Sequence, residues 1–361
     1  MSQGAAAVLL LALPLVGCRA APGDRAAPAR PPAVANRPVA THAAAGGEEG
    51  AMPRFPWPRW LGGTPAALAI GTRARPFALY YGWPSAVNGA DGDIAAAAAT
   101  FARYAVVILG DGLQRDDHPD HARTAAIMRR LQELGTTRVF GYVDLGVHTQ
   151  NLPLDTILQS AQAWQRLGAT GIFLDDAGAD FGVDAARRDA AVGGIRRLGL
   201  RVILNAHAPD DAFRGQVALG PGDGYLFEAF QVADGHVQPA PLAFAKADRV
   251  LALALASGAA VYAVATGPAD DPGFATKYAY AWWSALLYGF DYFQYTTLDY
   301  GARTAQLAWH DPTPPDLGSR YLEPEVRHAW AEGLHRRATD RGEIRVTSGA
   351  TLGGAFLPRS E

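Results

Sequence analysis

The run Gly171-Ile172-Phe173-Leu174-Asp175-Asp176 places three consecutive apolar residues directly before two carboxylates. Consecutive apolar residues are buried on both faces, as in a parallel strand covered by helices. Acids at the carboxyl end of such a strand stand at the rim of the core. One Asp there would serve equally well as a helix N-cap. Two side by side repel each other, and that cost points to use. Glu228 is placed just as oddly, inside Tyr225-Leu226-Phe227-Glu228-Ala229-Phe230. An acid in an apolar run is expensive unless paired or used, and no Arg or Lys stands near a strand end to pair with it. Two carboxylates across one cleft can share acid–base work. One protonates a leaving oxygen, its pKa raised by an apolar setting, while the other acts as nucleophile, base or charge stabiliser.

The elements that would position these acids recur regularly from Pro76 onward. Apolar, β-rich runs occupy 77–83, 104–110, 138–145, 171–176, 201–206, 224–230, 259–265 and 292–298. Helical patterns fill the intervals at 91–103, 120–134, 154–167, 184–198, 210–218, 240–256 and 273–288, and an eighth is expected at 323–337. In 154–167 the apolar residues Leu154, Ile157, Leu158, Ala161 and Trp164 keep helical spacing. Strand then helix, eight times, predicts an α/β fold of the (β/α)8 TIM-barrel type. The runner-up, a doubly wound open sheet, would carry a Gly-rich phosphate loop after an early strand, and none is present. Residues 343–356 alternate briefly and predict a hairpin capping the barrel. The expected organisation is a barrel over 54–340 and a C-terminal extension over 341–361.

In a TIM barrel the carboxyl ends of all strands face one cleft. Strand by strand, the candidates there are Tyr81 and Trp83; Asp111; Tyr142, Asp144 and His148; Asp175 and Asp176; Asn205 and His207; Glu228 and Gln231; Thr266; and Gln294, Tyr295 and Asp299. Of these, Tyr81, Trp83, Asp111, Tyr142, Asp144, Asn205, Gln294, Tyr295 and Asp299 are the expected substrate-binding set. Such a rim is acidic and aromatic, the reverse of what a phosphorylated substrate requires. Aromatic faces with amide and carboxylate acceptors suit sugar rings, which offer flat apolar faces and hydroxyl groups.

Composition sets bounds on this. The 361-residue chain is 49% apolar, enough for a large core, and its net charge of -3 lacks the basic footprint of a nucleic-acid binder. A single cysteine excludes a disulfide framework and a Cys-based metal site. The nine His show no paired-ligand spacing. His118 and His121, separated by Pro119, read as a surface helix start. No cofactor or metal is expected, and the protein is expected to act as a monomer.

Residues 1–17 form an uncharged apolar segment of signal-peptide length ending Leu15-Val16-Gly17-Cys18. These four residues resemble the bacterial lipobox, which implies cleavage before Cys18, lipidation of Cys18 and an extracytoplasmic, membrane-anchored lipoprotein. Residues 18–53 are rich in Ala, Pro and Gly and read as a tether. Phe55, Trp57 and Trp60 are expected to strap onto the domain.

Three segments, Gly141-Tyr-Val-Asp-Leu-Gly146, Trp164-Gln-Arg-Leu-Gly-Ala-Thr-Gly-Ile-Phe-Leu-Asp-Asp-Ala-Gly178 and Tyr225-Leu-Phe-Glu-Ala-Phe230, resemble the spherulin-4 type glycoside hydrolases, barrel enzymes related to endo-α-1,4-polygalactosaminidases. The similarity spans roughly residues 76–300. It implies that Asp175, Asp176 and Glu228 are catalytic and that a galactosamine-containing exopolysaccharide is cut internally, at α-1,4 links. Where many relatives carry Asp-Glu this chain has Asp175-Asp176, so its second carboxyl is one methylene shorter. Two other readings are a catalytically dead barrel that binds polysaccharide, and a metal-dependent hydrolase or deacetylase using the Asp cluster with His148 or His207.

Overall fold

The computed structural model describes residues 68–70, 73–310 and 313–359. Eight parallel strands close a barrel: β1 (Arg75–Tyr80), β2 (Val106–Leu109), β3 (Arg138–Asp144), β4 (Gly171–Asp175), β5 (Arg201–Asn205), β6 (Gly224–Phe227), β7 (Ala260–Thr266) and β8 (Tyr292–Thr296). Seven helices follow the first seven strands: α1 (Ile94–Phe101), α2 (His121–Leu134), α3 (Leu154–Arg166), α4 (Ala185–Arg197), α5 (Pro209–Phe213), α6 (Ala240–Ser257) and α7 (Phe274–Tyr288). The chain is a (β/α)8-type TIM barrel with one helix replaced.

Strand parity divides the core in two. Phe77, Leu79, Val106, Ile108, Phe140, Phe173, Ile203, Leu226, Val264 and Tyr292 fill the barrel interior. Residues of opposite parity, such as Val107, Ile172, Leu174, Val202 and Tyr225, pack beneath the helices. The interior is therefore solid, and open space in the fold lies above it, at the strand ends.

The Trp164 motif has a packing reason. Ile157, Ala161 and Trp164 form the buried stripe of α3. Trp164 lies flat on Gly141 of β3, where an added Cβ would come within 2.1 Å of the indole. Its Nε1 donates to the Tyr142 carbonyl at 3.1 Å. The helix is thus keyed to the strand beside β4, which fixes the height at which Asp175 emerges.

The closing seam between β8 and β1 is short, pairing only Tyr292 with Arg75 and Phe293 with Pro76. Pro76 cannot donate to the ladder. Gln294 completes the seam with its side chain, accepting from Leu79 N at 2.8 Å and donating to Leu79 O at 3.3 Å. Its amide groups are consumed there, which removes Gln294 from the expected substrate-binding set.

The helix expected at 323–337 does not form. Strands β9 (Arg327–Ala329) and β10 (Leu334–Ala338) occupy the segment. They continue into β11 (Gly342–Ser348) and β12 (Leu352–Pro358) as a four-stranded antiparallel sheet. This sheet begins inside the span assigned to the barrel. The expected hairpin at 343–356 is present as β11 and β12. It packs on the outer face of α7, where Gly354 leaves room for Trp283, and does not cap the barrel.

The pattern was misleading because the inward residues of β10 are polar. His335 and Arg337 are fully buried. Arg337 donates to the carbonyls of Leu287 and Tyr288 at 3.2 and 3.0 Å, and to those of Glu323 and Pro324 at 3.0 and 3.1 Å. It thereby satisfies orphan carbonyls at the end of α7. His335 stacks on Phe244 of α6 at 3.6 Å and joins a chain of hydrogen bonds. Ser348 Oγ lies 2.8 Å from His335 Nε2, and the two histidine Nδ1 atoms, of His335 and His328, are 2.7 Å apart. His328 Nε2 lies 3.1 Å from Asp248 Oδ2, and Asp248 also accepts from Tyr288 at 2.8 Å. With both rings neutral, donors run in one direction from Ser348 to Asp248 and every member is satisfied.

Candidate active site

Asp175, Asn205 and Glu228 stand two residues beyond Phe173, Ile203 and Leu226, which fill the barrel interior. The alternation of side chains therefore carries all three into the same cleft. Asn205 joins the two acids. Its Nδ2 donates to Asp175 Oδ1 at 2.8 Å and to Glu228 Oε2 at 3.2 Å. Those two oxygens are then no more than 6.0 Å apart, since one nitrogen reaches both. The hydroxyl of Tyr300 donates to Glu228 Oε1.

Burial, followed by the charges of Asp176 and Glu228, holds the Asp175 carboxyl well above the usual carboxylate range, against the opposing hydrogen bond from Asn205. Asp176 is pushed up to about 7, first by burial and then by Asp144. Its backbone is left-handed, φ 53°, a conformation Asp tolerates better than most residues. This turn takes Asp176 out of the strand's alternation toward Asp144. Asp144 is itself buried and raised by burial, and it accepts from Thr149 Oγ1 at 2.7 Å. The rim thus carries two acid pairs. Asp175 and Glu228 share Asn205, while Asp144 and Asp176 both lean on Thr149.

Aromatic rings floor the cleft. Tyr81 packs edge-on against Tyr142 at 5.4 Å and Tyr300 at 5.3 Å, and Tyr142 tilts over Phe173 at 5.9 Å. Trp83 donates its Nε1 to Asp111 Oδ2 at 3.1 Å. His118 Nε2 lies 3.5 Å from the same oxygen, and its Nδ1 accepts from Asp120 N at 3.1 Å. That bond assigns the ring proton to Nε2, facing Asp111. Asp111 therefore clamps Trp83 with His118 as part of the clamp, while His121 opens α2 as expected of this segment.

Other candidates lie elsewhere. Tyr295 has the outward parity, packs edge-on against Phe274 at 5.0 Å under α7, and is buried away from the cleft. Asp299 caps its own loop, accepting from Thr297 Oγ1 at 2.6 Å and pairing with Arg303 at 3.2 Å. Thr266 accepts from Asp234 N at 2.9 Å, and Gln231 from Tyr280 at 2.9 Å, so both are structural. His148 and His207 are exposed. Among the described residues no group of three or more His, Cys, Asp or Glu is arranged to hold a metal ion. Cys18 and the segment 1–67 lie outside the described residues.

Two residues escaped the sequence reading. Tyr300 follows Asp299, whose charge is the stronger sequence signal at that strand end. Lys246, on α6, sits 5.0 Å over the Phe227 ring. Burial lowers it to about 8, while the charges of Glu228 and Asp180 pull it the other way. A cation therefore lies within electrostatic range of Glu228, from a helix whose facing the strand-end pattern does not encode.

The sequence matches no protein-family model and no curated protein. Among solved structures the chain is similar to the glycoside hydrolase domain of PelA from Pseudomonas aeruginosa, at 15% identity over 64% of this chain and 99% of that one, TM-score 0.41. A variant of that domain matches with TM-score 0.42 at the same identity and coverage. The carboxyl transferase domain of Rhizobium etli pyruvate carboxylase also matches, at 13% identity over 63% of this chain and 40% of that one, TM-score 0.42.

Proposed function

We propose that the protein is a glycoside hydrolase that cuts a galactosamine-containing exopolysaccharide internally, at α-1,4 links, with Asp175 as proton donor and Glu228 as the charged partner. The observation that carries this reading is Asn205 Nδ2, which donates to a carboxylate oxygen of each acid. Asp175 has the raised pKa a proton donor requires. Glu228 accepts on both oxygens, from Tyr300 and Asn205, and such bonds favour a carboxylate. In the reaction Asp175 delivers its proton to the glycosidic oxygen as that bond breaks, and Glu228 meets the positive charge developing at the anomeric carbon. The upper limit of 6.0 Å between the bridged oxygens favours the retaining geometry of about 5–5.5 Å over the inverting one of about 6.5–9.5 Å. Water then hydrolyses a glycosyl–Glu228 intermediate, with Asp175 as base. The motif resemblance supplies the sugar and the linkage. The lipobox supplies the location, a lipid anchor on Cys18 outside the cytoplasm.

The test is reducing-end release from partly deacetylated N-acetylgalactosamine polymer, with proton NMR of the first-formed anomer. Release with α-configured ends supports the assignment. Polymer binding without release would leave a non-catalytic polysaccharide-binding barrel. For the anchor, Cys18→Ser should appear in the soluble extracytoplasmic fraction, and membrane retention at unchanged mass would end that reading.

A further inference from the structure

Donors meet both acids of the pair. Asp175 takes the Asn205 amide, the Tyr142 hydroxyl and the Asp176 N–H, and Glu228 takes the same amide on one oxygen and the Tyr300 hydroxyl on the other. Tyr300 is held in place from several sides. Its backbone is left-handed, φ 49°, which is uncommon for a bulky residue. Its carbonyl accepts from Tyr81 N at 2.9 Å and its N–H donates to Thr297 O at 3.0 Å. Gly301, which follows, has no room for a Cβ between Gln306 O and the Tyr80 ring. The ring lies edge-on to Tyr81 at 5.3 Å and is buried. Backbone strain of this kind persists only where the surroundings over-determine it. Here they aim one hydroxyl at one carboxylate oxygen.

We propose that Tyr300 is a positioning residue that fixes Glu228 as the charged member of the pair and leaves the shared proton on Asp175. Its effect on turnover rests on the glycosidase reading above, but its effect on the proton does not. Burial and the neighbouring Glu228 charge push the Tyr300 phenol far upward, so it stays a donor at every working pH. The other groups that feel Glu228 are Asp175 and Asp176 beyond β4, Tyr81 beyond β1, Tyr225 of β6 and Lys246 of α6. None of these has a hydrogen bond to Glu228 among those described, so none replaces the hydroxyl. Without it, charge on Glu228 is less favourable and the proton moves toward it, so Asp175 ionises more readily.

The experiment follows the side-chain carboxyl of Asp175 by carbon-13 NMR across pH in the full chain and in Tyr300→Phe, with Asp175→Asn assigning the signal. Tyr300→Phe keeps the ring and the aromatic floor. The Asp175 midpoint should fall by about one pH unit, and kcat on the polymer should fall about 10²-fold with KM within about threefold, the scale of losing one preorganised donor. An unchanged Asp175 titration in folded Tyr300→Phe overturns the proposal, whatever the activity. If that variant fails to fold, 3,5-difluorotyrosine at position 300, a stronger donor of nearly the same shape, should raise the midpoint, and no change there overturns it. A chain that cuts no polymer but shows the shifted titration retains the positioning role and loses the glycosidase reading.

Discussion

Two regions of this molecule bury titratable groups, and they do so in opposite ways. At the strand ends Asp144, Asp175, Asp176 and Glu228 crowd together with like charge. Burial raises the first three, and repulsion from neighbouring carboxylates adds to it at Asp175 and Asp176. At the junction of the C-terminal sheet with α6 and α7, Ser348, His335, His328, Asp248 and Tyr288 form a chain in which each donor meets one acceptor. The first arrangement stores unfavourable energy that a reaction can use. The second stores none and holds an element in place. Perturbed titration therefore does not identify an active site by itself. His335 is lowered to about 3, by burial first and His328 second, yet its hydrogen bonds are complete.

The largest expected effect breaks the first region. Asp175→Asn or Glu228→Gln should each lower kcat at least 10³-fold with the fold intact by circular dichroism, near the upper part of the range for acid–base and nucleophilic roles. Retained turnover in either variant would end the assignment. The matching blow to the second region is Arg337→Met, which leaves buried carbonyls without their donor. It should cost about 3 kcal/mol in urea unfolding without changing KM.

The comparison sharpens in the pH dependence of stability, because the two slopes have opposite signs. Asp176 binds its proton more tightly folded, about 7, than unfolded, about 3.9. Its contribution is present below pH 4 and is lost as pH rises toward 7. His335 binds its proton less tightly folded, about 3, than unfolded, about 6.5. Its contribution is present above pH 6.5 and is lost as pH falls toward 3. Asp176→Asn should therefore stabilise the protein by about 1–2 kcal/mol at pH 8, after allowing for screening by water, and leave pH 4 unchanged. His335→Gln should flatten the slope between pH 6.5 and 3. Identical pH profiles in parent and variants would show that neither group is coupled to folding.

Smaller effects concern the substrate. Asp111 orients Trp83, so Asp111→Asn should raise KM about fivefold and leave kcat alone, as expected for lost uniform binding. An acidic rim attracts a polymer with free amino groups. Cleavage of partly deacetylated polymer should weaken as salt shortens the screening length from about 10 Å at 0.1 M to about 3 Å at 1 M. Lys246 moderates that field. Lys246→Met should steepen the salt dependence by a measurable margin, and equal rates at all salt concentrations would remove the charge argument.

The eight strands and seven of the helices were legible because apolar periodicity is a local record of which face is buried. Val106 to Leu109 reads as a parallel strand whatever its neighbours are. Asp175 and Glu228 were legible for the same reason, since an acid at the end of an apolar run contradicts its surroundings. The sheet that replaces the eighth helix was not legible. Its inward positions, His335 and Arg337, are polar, and only the partners the fold brings to them, His328 and Ser348 for the first and backbone carbonyls for the second, make them buried residues. Gln294 and Tyr295 show the same limit from the other side. Their types suit a sugar, but parity and the short β8–β1 seam spend one on the backbone and turn the other beneath a helix. The sequence alone determined where apolar surface must be hidden and which charges resist hiding. Which groups meet, Asn205 across two acids, Tyr300 on Glu228 and Asp111 on Trp83, was decided only by closing the barrel, because each of these contacts spans a few ångströms between residues far apart in the chain, 72 positions for Tyr300 and Glu228.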